Sequence, residues 1–96
     1  MATVTQAHAL TQQLGARGQV QRMVVNHNAN SDEIYVTATG AGNLCSAVTL
    51  RSNDPNVSPT SYKTLYAYLL TAKMTSKTLE FYTDTACNLF RLEIVE

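Results

Sequence analysis

Charge is scarce in this 96-residue chain: 15% of the residues are Asp, Glu, Lys or Arg, and seven basic side chains cancel seven acidic ones. A summed field of zero gives no steering towards nucleic acid, an anionic membrane or an acidic substrate, so no nucleic-acid partner is expected. It also leaves little repulsion between copies, which favours self-association. Long apolar runs are missing too. None approaches the roughly 18 residues that a membrane-spanning helix needs, so no membrane span is expected. Only two histidines and two cysteines are present, and neither cysteine stands in a Cys-x-x-Cys spacing. His8 and His27 fall in different elements, so a zinc site lacks its usual signature, and no metal or cofactor is expected. The start, Met1-Ala2-Thr3-Val4-Thr5, has neither a basic nor an apolar stretch. No signal peptide is read in it, which leaves a cytoplasmic protein or an exported one without its leader as the two expectations.

What is present argues for one ordered domain. A hydrophobic fraction of 45% can build a core, and 96 residues suffice for a single one. Residues 1–18 read as a separate N-terminal segment. Ala7, Leu10 and Leu14 recur at helical spacing within residues 3–15, and Gly15-Ala16-Arg17-Gly18 reads as a joint. The domain proper is residues 19–96. Strands are expected at 19–26, 33–39 and 44–51, joined by a turn rich in Asn and Asp and then by Gly40-Ala41-Gly42-Asn43. The series Asn26, Asn28, Asn30, Asp32 superficially resembles a calcium loop. An EF-hand loop counted from Asn26 would need Gly where Ser31 stands and Glu where Thr37 stands, so the hairpin-turn reading is preferred.

Both prolines of the chain fall within residues 52–59, and Ser58 before Pro59 is a helix-capping pair. The helix that follows has an apolar stripe of Leu65, Tyr66, Leu69 and Ala72, widened by Ala67, Leu70 and Met74. Alternation returns at residues 78–83 and 89–95. Cys45 and Cys87 can form one bridge or remain as two buried thiols, and their placement at loop or strand ends leans towards the bridge.

The expected class is mainly β (α+β). Three meandering strands, a helix and two strands give the order of the five-stranded partly open barrel called the OB-fold. Within residues 45–96, Cys45, the Tyr62-Lys63-Thr64-Leu65-Tyr66-Ala67-Tyr68-Leu69-Leu70-Thr71-Ala72-Lys73 helix, and Lys77-Thr78-Leu79-Glu80-Phe81-Tyr82 running into Cys87 also resemble the B subunits of subtilase-type A–B toxins. That resemblance implies a bridge between Cys45 and Cys87, a homo-oligomeric, pentamer-like ring, glycan binding, and a secreted or periplasmic location; the N-terminus without a readable leader keeps a cytoplasmic one as the alternative. Residues 1–18 do not fit it.

Among candidate site residues, the tyrosines combine a flat apolar face with a polar tip suited to sugars or bases. Tyr62 and Tyr66 belong to the core stripe. Tyr35 and Tyr68 lie off it and are the candidate ligand contacts. Arg22 and Met23 in the first strand and Arg91 and Glu93 in the last are candidate subunit contacts, with opposite charges pairing across copies. Trios of a cysteine or serine with a histidine and Asp54 or Asp84 can be drawn, but no local motif supports one, so no catalytic residue is assigned and no enzyme is expected. Asn56-Val57-Ser58 matches a glycosylation tripeptide, yet Pro59 directly after it favours a loop and helix cap. The expected function is a non-enzymatic homo-oligomeric module that binds a carbohydrate or a protein surface. The alternatives are a structural or assembly protein and, less favoured, a barrel for single-stranded nucleic acid.

Overall fold

In a computed structural model that describes residues 12–27 and 31–95, the chain is mainly β. Its elements are β1 (Gln13–His27), β2 (Asp32–Ala38), β3 (Val48–Arg51), α1 (Pro59–Thr75), β4 (Thr78–Thr83) and β5 (Leu89–Ile94). The strands form one antiparallel sheet in the order β3-β2-β1-β4-β5.

β1 is long because it serves two neighbours. Residues 13–19 pair with β4 and residues 20–27 with β2. This corrects the expected first strand, which began at Gln19, and the expected joint at residues 15–18. The glycines there permit close approach, of the Thr83 and Cys45 side chains at Gly15 and of the Gly40 backbone at Gly18. Gly18 has φ +143°, and a Cβ on Gly40 would lie 1.9 Å from the Arg17 carbonyl oxygen, so β1 and the segment after β2 touch backbone to backbone. The helix expected within residues 3–15 falls mostly on residues 1–11, which lie outside the described residues. Gln13, Leu14 and Gly15 are strand.

β2 alternates as its sequence requires, with Ile34 and Val36 buried between half-buried Glu33, Tyr35 and Thr37. The hairpin before it closes with His27 opposite Asp32; Asn28 and Asn30 lie outside the described residues. The third strand begins at Val48 and not at Leu44. The Cys45 N–H is committed to the Gly15 carbonyl at 2.9 Å, which draws residues 44–47 away from β2.

Helix α1 starts where its capping signals stand. Ser58 Oγ accepts the Ser61 N–H at 3.1 Å, and Pro59 occupies the first turn. The helix ends at Ser76, whose left-handed backbone (φ 56°) turns its N–H onto the Ala72 carbonyl. Leu65, Leu69 and Ala72 are buried against the sheet, while Tyr62 and Tyr66 stack half-buried beside them with centroids 6.5 Å apart. Ala67, Leu70 and Met74 do not widen that face, because a 100° step per residue puts them on the opposite side, in solvent. With Leu69, the largest fully buried side chains among the described residues are Ile34, Val36, Val48, Leu50, Leu79, Phe81, Thr83 and Leu89, which form the core between the sheet and α1.

The two outermost strands approach each other at one end. Thr49 N–H donates to the Cys87 carbonyl at 2.9 Å, Thr49 and Asn88 form a single parallel bridge, and Arg51 Nη1 donates to Asn88 Oδ1 at 3.0 Å. Beside them Cys45 and Cys87 are joined in a disulfide with their Cα atoms 5.9 Å apart. A single bridge is not a ladder, and the sheet remains open.

Candidate functional site

The outer face of β1, β2 and β3 collects polar groups by register alone. Tyr35 lies between Val24 of β1 and Thr49 of β3, Glu33 lies between Asn26 and Arg51, and Arg22 faces Thr37. Residues directly opposite on one face of an antiparallel pair touch, so these side chains form a connected surface. The Tyr35 hydroxyl donates to Glu33 Oε1 at 2.5 Å, and Arg51 Nε donates to Glu33 Oε2 at 2.9 Å. Both carboxylate oxygens of Glu33 are thereby engaged, and Arg51 reaches on to Asn88. The hydrogen bond from Tyr35, and then the Arg51 guanidinium, hold the Glu33 carboxyl below its ordinary range against some desolvation. The same bond to Glu33, then desolvation, raises the Tyr35 phenol. Tyr35 is therefore a neutral donor at physiological pH with a fixed ring, and Glu33 is an anion.

A second network of the same design lies on the outer face of the other half of the sheet. Tyr82 OH donates to Glu80 Oε1 at 3.0 Å, Glu80 pairs with Arg17 Nε at 3.3 Å, and the Arg91 guanidinium stands 4.7 Å from the Tyr82 ring centroid. The Tyr82 phenol is raised first by its bond to Glu80 and then by desolvation. In both networks a Glu and a Tyr two residues apart on one strand meet an Arg from the next. Glu33-Ile34-Tyr35 and Glu80-Phe81-Tyr82 are the matching sequence segments.

Between the first turns of α1 and β5 lies a cleft of about 270 Å³, lined by Ser61, Thr64, Leu65, Phe90, Arg91 and Leu92. Its floor is apolar, with hydroxyls along the helix side. Tyr68, 48% exposed, stands one turn beyond Thr64 on that same side of α1.

The candidate residues are thus divided between separate places. Tyr35 and exposed Arg22 share the outer face of β1 and β2, whereas Met23, opposite Val36, packs half-buried against the core. Tyr68 belongs beside the cleft. Arg91 and Glu93 pair with each other within the chain. The sequence reading missed Asn26, Glu33, Arg51 and Asn88 around Tyr35, and Ser61, Thr64 and Phe90 in the cleft. The repeated Glu-x-Tyr segment is the one signal that could have found part of them, since residues two apart share a face of a strand.

Among the described residues no cluster of three His, Cys, Asp or Glu side chains could hold a metal ion, and no helix is long and apolar enough to cross a membrane. Comparison of the chain with family models, with curated proteins and with solved structures finds no match.

Proposed function

We propose that this chain is a non-enzymatic binding module with an OB-like barrel, working as a homo-oligomer, that recognises a carbohydrate on the outer face around Tyr35. The observation that carries the reading is the Tyr35-Glu33-Arg51 network. A sugar ring offers a flat patch of C–H bonds edged by hydroxyls, and it is matched by an aromatic face whose neighbours are fixed donors and acceptors. Tyr35 supplies the face. Glu33 and Arg51 supply an oriented carboxylate and guanidinium, with Asn26, Thr49 and Thr37 around them. Because these groups are held before any ligand arrives, binding orders few side chains. Glu33 balances Arg51, and exposed Arg22 on the same face falls short of a basic groove, which counts against a nucleic-acid strand.

The strand order supports the barrel reading, as do the contacts that bring β3 to the start of β5. The disulfide fits an oxidising compartment and supports export. Exposed Val24, Val25 and Ile94 on strands, with Val95 just after the last, favour a second reading in which assembly itself is the function. Glycan-array binding by the native protein and by Tyr35→Ala tests the proposal. Binding to a defined set of sugars that the variant loses is expected; native protein that binds no glycan would leave the assembly reading in its place.

A further inference from the structure

We infer that β5 is a self-complementary contact through which two copies of this chain join antiparallel about a two-fold axis at Leu92, each seating Ile94 in the other's α1–β5 cleft. The inference rests on the proposal that copies self-associate and names the surface that does it.

β5 is the outermost strand beyond β4, and past the bridge from Thr49 to Asn88 its other edge pairs with no strand of the sheet. Which residues present that edge follows from one bond. Val95 N–H donates to the Thr78 carbonyl at 3.0 Å, and the register continues through Ile94 opposite Leu79, Glu93 opposite Glu80 and Leu92 opposite Phe81. In an antiparallel pair alternate residues exchange both backbone bonds with the partner strand. Glu93 is in phase with Val95 and faces β4. Leu92 and Ile94 turn their N–H and C=O groups outward, where no hydrogen bond reaches them among the described residues. A row of unpaired backbone groups is satisfied by another extended chain.

The segment Phe90-Arg91-Leu92-Glu93-Ile94 selects which chain. Pairing two copies with Leu92 opposite Leu92 bonds the outward groups and brings Arg91 opposite the partner's Glu93, twice by symmetry. Sliding the pair to the next register that keeps those groups bonded sets Arg91 against Arg91 in one direction and Glu93 against Glu93 in the other. Like charges directly opposite are unfavourable, so one register is singled out. Arg91 and Glu93 already pair within each chain on the solvent face, 48% and 39% exposed, and five guanidinium donors allow Arg91 to hold the second carboxylate as well. On the other face the same register sets Ile94, 50% exposed, opposite the partner's Phe90, which lines the cleft with Leu65 and Leu92. An exposed apolar side chain and the apolar floor of an open cleft thereby cover each other.

Complementary charge reversal tests this. Arg91→Glu places acid against acid and Glu93→Arg places base against base, so each variant alone should self-associate more weakly by about tenfold or more. Mixed in equal amounts, the two restore an acid–base pair at both positions and should form a 1:1 heterodimer by sedimentation velocity. Circular dichroism and an intact disulfide check that each variant is folded. Two folded variants that stay apart when mixed would overturn the inference. Variants that each associate as the native protein does would show assembly by another surface, which overturns the β5 contact and leaves the homo-oligomer standing. A monomeric native protein at micromolar concentration would remove both.

Discussion

Leu69 and Leu70 are adjacent on α1, yet Leu69 is fully buried and Leu70 is 41% exposed, so truncating each in turn measures which face of the helix stabilises the fold. Leu69 is enclosed between the helix and a sheet whose facing residues Ile34, Leu50, Phe81 and Leu89 are themselves fully buried. A strand-anchored wall of that kind relaxes little into a new void. The cost of Leu69→Ala should therefore fall in the upper part of the Leu→Ala range, about 3–5 kcal/mol. For a domain of this size each kcal/mol lowers the melting midpoint by roughly 4–8 °C, so a fall of at least about 12 °C is expected. Leu65→Ala should cost less, because Leu65 borders the open cleft and is 8% exposed. Leu70→Ala should change stability by no more than about 0.5 kcal/mol, since alanine has the highest helix propensity and little burial is lost. Urea titration of the oxidised proteins, followed by circular dichroism, gives the three values on one scale. Equal losses for Leu69→Ala and Leu70→Ala would refute the face assignment and the packing argument built on it.

Replacing both cysteines by alanine frees a loop that spans 42 residues of sequence, and loop entropy sets the expected loss at about 4 kcal/mol, read as a lower urea midpoint. Because the Glu33 carboxyl is held below its ordinary value in the folded chain, it contributes stability that is present above the unfolded carboxylate pKa and lost as pH falls through the folded one. Glu33→Gln should therefore flatten the acid limb of a stability–pH profile, and an acid limb as steep as the native one would count against the network. The Tyr35 phenol is raised, so its contribution is present below the unfolded phenol pKa and lost as pH rises through the folded one; Tyr35→Phe should flatten the alkaline limb. Gly40→Ala should prevent normal pairing of β1, since its Cβ would overlap the Arg17 carbonyl, and a variant with native stability would show that the approach is looser than described.

Much of the fold was legible because local signals and tertiary contacts agree. Ser58-Pro59 marks the start of α1, and period-two alternation marks β2, β4 and β5, each within about a residue of its observed bounds. The failures share one cause. Gly15, Gly18 and Gly40 look like punctuation in a linear reading, but they are glycine because another backbone or side chain passes within contact distance, a fact set by residues far away in sequence. Leu44 likewise has strand-like neighbours and is 71% exposed, because the bond from Cys45 to Gly15 diverts its segment. The apolar residues Ala67, Leu70 and Met74 made the helix look broader on its buried side than it is. Angular position, and not apolar count, decides the face.

The site was less legible than the fold, and the reason is register. Tyr35 could be placed on the outer face from alternation alone, but its partners come from two other strands. A shift of one residue in either pairing would have replaced Arg51 or Asn26 with a residue of the opposite face. Within one strand, by contrast, spacing is fixed, and that is why Glu33 and Tyr35, and again Glu80 and Tyr82, can be read as pairs before any register is known. The two pairs then differ in what the sheet brings to them. Glu33 meets Arg51, which Asn88 anchors across the approach of the two sheet edges, whereas Glu80 meets the more exposed Arg17, with Arg91 over the adjoining ring. Tying a guanidinium at both ends restricts its rotamers, so the Tyr35 network is the more rigid of the two and has less freedom to lose on binding. A test follows from that difference. Asn88→Ala removes the anchor of Arg51 but touches neither Tyr35 nor Glu33, so a carbohydrate bound at Tyr35 should bind more weakly to this variant. Glycan affinity equal to that of the native protein in a folded Asn88→Ala variant would place the ligand elsewhere.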